Sequence, residues 1–243
     1  MNNMFIKDLR INWEDISERS YIRAIPSIAS IDELVFEEPV TYFVGENGSG
    51  KSTLLEAIAI AYGFNPEGGT KNYAFSTYDS HSDLCHAIRL SKGYLKPKWG
   101  YFLRAESFYN VATKEDEYSR GPGGVPQFFH EKSHGESFMK VVESNFGPNG
   151  IYILDEPEAA LSPQRQLTLL YYIHKFSEMG SQFIIATHSP ILLGLPCADI
   201  KCFDDGAIHS CDYEETDSYQ VTEMFINNRH AVLNSLFNEE KSV

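Results

Sequence analysis

Long apolar runs are missing from this 243-residue chain. No stretch approaches the roughly eighteen residues of a membrane-crossing helix, and the N-terminal MNNMFIKDLR has no apolar core of the kind that marks a secretory signal. A cytoplasmic protein with no membrane association is the expectation. Cysteine is scarce: Cys85, Cys197, Cys202 and Cys211 form no CxxC pair. A chain of this size folds without disulfides, so reduced thiols are expected. Positive charge is scarce too, with 20 lysines and arginines against 34 aspartates and glutamates and a formal net charge of −14. Such a chain repels polyanions unless its basic residues gather on one face, which disfavours direct nucleic-acid binding. Sustained heptads are absent between Ser52 and Gly150, which excludes a long coiled-coil arm.

The chain is rich in apolar residues, at 42%, enough to bury one large core or a core with a small subdomain. One globular domain over residues 1–243 is expected. The most informative stretch is PVTYFVGENGSGKSTLLEAIAIAYGF, which reads as strand, loop and helix. Val40 to Val44 is β-branched and aromatic. The helix opens near Lys51, carries Leu54, Leu55, Ile58 and Tyr62 on one face, and stops at Gly63. Between them, Gly45-xxxx-Gly50-Lys51-Ser52 is a complete phosphate-loop match. Glycines let successive backbone N–H groups curl around phosphates, and the helix N-terminus adds its positive dipole end. Gly45, Glu46, Asn47, Gly48, Ser49, Gly50, Lys51, Ser52 and Thr53 are therefore the candidate nucleotide-binding residues. Lys51 would reach the β- and γ-phosphates, and the Ser52 hydroxyl would ligate Mg²⁺. ATP and Mg²⁺ are the cofactors this predicts.

A phosphate loop of this kind needs an acidic partner, and NGIYILDEPEAALSPQRQ supplies one. Ile151 to Leu154 is a short apolar run typical of a buried parallel strand, and it ends in Asp155-Glu156. Carboxylates at that end of the strand face the phosphate loop. Asp155 is the expected Mg²⁺ ligand, and Glu156 the expected general base for the attacking water. Ser162-Pro163 reads as the N-cap and first residue of a helix running to Gly180. SQFIIATHSP then forms another buried strand that delivers His188 as a second catalytic candidate, with Pro190 blocking continuation.

In this order of elements the chain resembles the heads of ABC-type ATPases. It is most similar to a small stand-alone bacterial family of ABC-class ATPases, related to the heads of the structural-maintenance-of-chromosomes and overcoming-lysogenization-defect groups. YFVGENGSGKSTLLEAIA, FLRAESFYNVAT, SHGESF, YILDEPEAALSPQRQ and SQFIIATHSPILL carry the likeness, which spans nearly the whole chain. It implies an α/β P-loop NTPase fold of ABC-head type, with a mostly parallel sheet core, a flanking antiparallel β subdomain and a small helical signature subdomain. Residues 1–62 and 150–243 would form the core and β subdomain, and 63–149 the Q-loop and signature region.

The resemblance also implies a homodimer closed around two ATP molecules. SHGES would take the place of the ABC signature, so that Ser133, Gly135 and Glu136 serve the γ-phosphate held by the partner subunit. The alternative is an ordinary helix cap, with Ser133 and Glu136 as a capping box. His134 replaces the usual glycine there. Ala159 to Ser162 stands at the dimer-bridging D-loop but ends in Ser where Asp is usual. In the Q-loop region Arg104 falls at the position of a metal-touching glutamine; arginine cannot ligate a metal, so Glu106 is taken as the further metal ligand. Tyr21 would stack on adenine or pack in the core.

Elsewhere, MFIKDLRINWEDI reads as edge strands and IKCFDDGAIHSC as a hairpin turning at Asp205-Gly206, together forming the flanking antiparallel sheet. HSDLCHAIRL, with His81, Cys85 and His86, reads as a surface helix and not a zinc site. KEDEYSRGPGGVPQFFHEKSHG reads as a mobile loop. Function beyond ATP hydrolysis divides three ways. The first is a switch acting on a partner protein, such as a nuclease or toxin in bacterial defence. The second is an ATP-dependent nucleic-acid factor, which the acidic charge disfavours. The third is a transporter subunit, which the lack of an ordinary Q-loop and signature disfavours.

Overall fold

The structure, a computed structural model, describes residues 4–70, 82–104 and 134–239. Two sheets organise them. The smaller is antiparallel, with β1 (Ile6–Ile11) between β2 (Leu34–Val35) and β5 (Ile88–Lys92). The larger contains β3 (Val40–Val44), β4 (Gly69–Thr70), β6 (Trp99–Arg104), β7 (Gly150–Asp155), β8 (Gln182–Ala186), β9 (Asp199–Cys202) and β10 (His209–Ser210), in the order β10-β9-β3-β8-β7-β6-β4. Its centre, β9-β3-β8-β7-β6, is parallel, and β10 and β4 add antiparallel margins.

Parallel neighbours need long crossovers, and helices supply them. The main helices are α2 (Lys51–Tyr62), α4 (His134–Asn145) and α5 (Pro163–Glu178), with short α1 (Pro26–Ala29), α3 (Leu84–Ala87) and α6 (Pro190–Leu193), and α7 (Asp217–Glu239) at the C-terminal side. Burial on both faces explains the unbroken apolar runs of β3, β7 and β8. On one face Phe43, Ile153 and Ile184 pack in a cluster with Leu54 and Ile58 of α2 and with Phe5 and Leu9 near the small sheet. On the other, Tyr42, Leu154 and Ile185 meet Phe138 and Val142 of α4 and Leu169 and Ile173 of α5. Alternate residues of each strand thus serve different cores, as the pleat requires.

Gln182 ties the two sheets together. Its buried Oε1 accepts from the N–H groups of Phe5 and Ile6, each at 2.9 Å, and its Nε2 donates to the Ile6 carbonyl at 2.8 Å. Across the large sheet the register sets Arg104, Asp155, Ala186, Phe43 and Lys201 in one row. Asp155 therefore lies level with the last residues of β3, and with the start of the loop that follows it.

Several sequence expectations are met and several are corrected. Strand β3, helix α2 and its left-handed stop at Gly63 (φ 108°) lie where the pattern puts them. The Asp205-Gly206 turn exists, with φ of 61° and 80°. Its hairpin, however, extends the large sheet and takes no part in the flanking antiparallel one. The N-terminal strand is not an edge: β1 has partners on both sides, because β5, distant in sequence, covers its second flank. HSDLCHAIRL does not give a surface helix. Leu84, Cys85 and Ala87 of the short α3 are buried in the α2 core, and burial pushes the Cys85 thiol pKa up. His81 lies outside the described residues, among which no three-donor metal cluster occurs. Helix α5 ends at Glu178, and Ser162 precedes it in extended conformation without a side-chain cap bond.

Candidate functional site

The loop Gly45–Gly50 joins β3 to α2 at the C-terminal edge of the parallel sheet, where ligands of such folds bind. Two of its glycines are required by the space around them. Gly45 has φ 134°, and a Cβ there would lie 2.8 Å from Asp204 Oδ1; Gly50 has φ 101°, and a Cβ would lie 2.8 Å from Ile25 Cγ2. Outside braces fix the loop's course. The Glu46 N–H donates to Asp204 Oδ1 at 2.8 Å, and the Ser27 hydroxyl donates to the Ser49 carbonyl. Gly50 provides no side chain to cap α2, so the first amides of the helix point out as an anion site.

Lys51 is buried inside this loop, its ammonium donating to the Gly45 and Glu46 carbonyls at 2.6 and 2.7 Å. Burial pushes its pKa below the ordinary lysine value, and Asp204, Glu156 and Asp155 pull it back up. The next residue reaches the acidic strand: the Ser52 hydroxyl donates to Asp155 Oδ1 at 2.8 Å. Asp155, at the end of β7, is 8% exposed. These are hard oxygen donors of the type Mg²⁺ takes, and Mg²⁺ needs only one or two of them beside phosphate and water. Glu156 follows in the left-handed region, φ 48° and ψ 51°, uncommon for a residue with a side chain. Its N–H donates to the Ala186 carbonyl at 2.9 Å, which holds the turn against β8.

His188 follows β8, its Nε2 buried and without a hydrogen bond among the described residues. The loop that carries it is held by two side chains that the sequence patterns did not single out. Glu158 Oε1 accepts from the His188 N–H at 2.6 Å. Burial pushes the Glu158 carboxyl pKa up, against the lowering effect of that bond. Gln166 Nε2 donates to the Leu161 carbonyl at 3.1 Å, and its Oε1 accepts from the Ser189 hydroxyl at 2.6 Å. The turn after Glu156 and the loop of His188 are thereby braced together. Glu158 lies in the same DEPE stretch as the base candidate, so an unexplained carboxylate in an apolar turn was the signal available.

The remaining candidates divide. Ser133, Glu106 and nearly all of the glycine-rich loop lie outside the described residues. Gly135, in the first turn of α4, is packed so closely that a Cβ would lie 2.4 Å from Arg165 Nη1 and 3.0 Å from the Ala160 carbonyl. Glu136 pairs with Arg165 at 3.3 Å. Arg104 ends β6 and forms an ion pair with Glu56 of α2 at 2.8 Å. Tyr21 is 60% exposed on a short 3-10 helix, which removes the packed-core reading. A cleft of about 1290 Å³ opens beside Gly45, Glu46, Asn47 and His188, its far wall formed by Asp204, Asp205 and the residues leading into α7.

A glycine loop between a parallel strand and a helix, its serine bonded to the carboxylate of a strand end nearby, defines a P-loop NTPase. Two family models match the chain in succession. One, described as "AAA domain", covers residues 21–117; the other, described as "AAA domain, putative AbiEii toxin, Type IV TA system", covers 128–194. The phosphate loop falls in the first, and Asp155, Glu156 and His188 fall in the second. Each model covers less than half of the chain, and both describe AAA domains, in keeping with an ABC-class AAA ATPase. No curated protein sequence matches it. Among solved structures it is similar to the SMC head domain from Thermotoga maritima, at 16% identity over 86% of this chain and 99% of that one, with a TM-score of 0.45. An ATP-binding cassette of an ABC transporter is similar at 17% identity over 91% and 96%, with a TM-score of 0.46.

Proposed function

We propose that the chain, as one ABC-type domain over residues 1–243, binds MgATP, pairs with a second copy around two nucleotides, hydrolyses them and so acts as a cytoplasmic switch for a partner protein. The observation that carries this is the 2.8 Å bond from Ser52 of the phosphate loop to Asp155, with Glu156 held one residue further on. The amides of Gly45 to Thr53 and the Lys51 ammonium bind the phosphates. Ser52 and Asp155, with Glu106, would hold Mg²⁺, which would supply positive charge against the phosphates. Glu156 accepts the proton of the attacking water, and His188 donates toward the γ-phosphate. Ser133, Gly135 and Glu136 serve the nucleotide of the partner subunit. A toxin or nuclease of bacterial defence is the partner type we favour; the second matching model is itself described as "AAA domain, putative AbiEii toxin, Type IV TA system", which supports that setting for such ATPase domains.

Glu156→Gln should keep ATP affinity while turnover falls by about 10² or more, since an amide cannot take the water's proton. Equilibrium binding and steady-state hydrolysis measure the two separately. Lys51→Ala should instead weaken binding itself. Hydrolysis near the wild-type rate in Glu156→Gln would remove the base assignment, and undiminished ATP affinity in Lys51→Ala would remove the loop assignment.

A further inference from the structure

Beyond Asp217 and Ser218, which line the cleft, helix α7 lies outside the candidate site, and only its beginning is anchored. Asp212 and Glu215 form a capping box over the preceding turn, the Tyr213 hydroxyl donates to the Pro190 carbonyl at 2.9 Å, and the Tyr213 and Tyr219 rings lie 4.8 Å apart. From Val221 through Phe237 no residue is buried. The exposed positions are nonetheless apolar. Val221, Met224 and Phe225 share one exposed side of the first half of α7; the helix breaks at Asn228 (φ −127°, ψ 31°), beyond which Leu236 is exposed and Val232 half-buried, while Ile226 and Phe237, 71% and 64% exposed, point to other sides of their turns. Glu223 and Asn227 occupy the other side of that first half. A helix without a packed face is marginal in water, and an apolar surface this broad marks a docking site.

Charge decides between occupants. Asp212, Glu214, Glu215 and Asp217 surround the base of α7 and Glu223 lies on it, with Arg229 as the opposing cation among the described residues 212–237. A second copy docked through this same face would set these acids against their equals, whereas a basic surface would neutralise them. We propose that α7 is the docking element for a partner protein presenting a basic amphipathic helix, laid apolar face to apolar face with its cations against the acidic base. This rests on the switch reading above, whose partner it describes. The cleft at that base is also lined by Asp204, which accepts from Glu46 N–H at 2.8 Å, so the base of α7 and the phosphate loop border the same cleft.

The test uses the full chain and a fluorescent synthetic peptide of leucine and lysine at amphipathic helical spacing, with its leucine–glutamate counterpart as control. Anisotropy should show binding of the basic peptide and none of the acidic one. The double variant Met224→Ser with Phe225→Ser, and separately Glu214→Lys with Glu223→Lys, should each raise Kd about tenfold or more. All four positions are exposed, so both variants leave the core intact. Unchanged peptide affinity in the serine variant would overturn the proposal, because charge alone would then explain binding. So would binding of the wild type to phosphatidylcholine vesicles but not to the peptide, or a wild-type dimer in light scattering that the serine variant dissolves. ATP hydrolysis is measured alongside and should be unchanged in both variants. A chain that binds the peptide without hydrolysing ATP retains the docking site and loses the switch; one that hydrolyses ATP and ignores the peptide does the reverse.

Discussion

At the scale of single residues, the site is a set of side chains held by neighbours far away in the chain. Glu158 is the clearest case: its oxygen faces the N–H of a residue 30 positions later. Because burial raises its pKa above the ordinary 4.5, the folded chain holds that proton more tightly than the unfolded chain does. Stability contributed by this group is therefore complete at low pH and is lost as pH rises from about 4.5 through the folded value. Glu158→Gln keeps an acceptor for His188 N–H and has no proton to lose. Urea unfolding from pH 4.5 to about 8 should show wild-type stability falling relative to this variant as pH rises. A wild type that gains on the variant over that range would show the carboxyl to be stabilised in its charged form. Asp155 and Glu156 were legible from the sequence because an apolar run ending in two acids is a local pattern. Glu158 and Gln166 were not, since their bonds to His188 and Ser189 cross between separate segments.

At the scale of elements, strands and helices followed the apolar periodicity, while their pairing did not. The sequence of β1 reads equally well as an edge or a centre, and only β5, about eighty residues on, decides between them. Gln182 shows how strongly that arrangement is fixed. Replacing it with Leu would leave the buried N–H groups of Phe5 and Ile6 without their acceptor. Each orphaned donor costs about 1–3 kcal/mol, so Gln182→Leu should lower unfolding free energy by about 2–6 kcal/mol. Denaturant titration measures this, and a loss under about 1 kcal/mol would mean that β1 reaches water or another acceptor instead.

At the scale of the whole molecule, the proposed dimer makes a prediction that one chain alone cannot satisfy. Ser133→Arg blocks the contact that SHGES makes across the interface, and Lys51→Ala empties the phosphate loop. With Glu156→Gln added to both chains, trapped ATP replaces turnover as the readout. Each homodimer should trap little. A mixed dimer holds one intact site, built from the loop of the Ser133 variant and the signature of the Lys51 variant, so trapping should recover to about one nucleotide per mixed dimer. If a tag pull-down shows mixed dimers and trapping stays absent, SHGES acts within its own chain or is a helix cap only.

The sequence by itself determined the phosphate loop, the two acids that face it, the strand that carries His188 and the parallel α/β class. Each of these is a contiguous pattern whose physics is local: glycines that free amides, apolar runs that end in carboxylates, helix periods that begin and stop at marked residues. Tertiary structure alone decided that the hairpin Asp199–Ser210 joins the large sheet, that Cys85 is core, that Asp204 braces the loop, and that the apolar residues of α7 stay unburied among the described residues. Those outcomes depend on which distant segments compete for the same flank, and burial of one is exposure of another. An amphipathic helix has the same sequence whether its apolar side meets its own core or waits for a partner's.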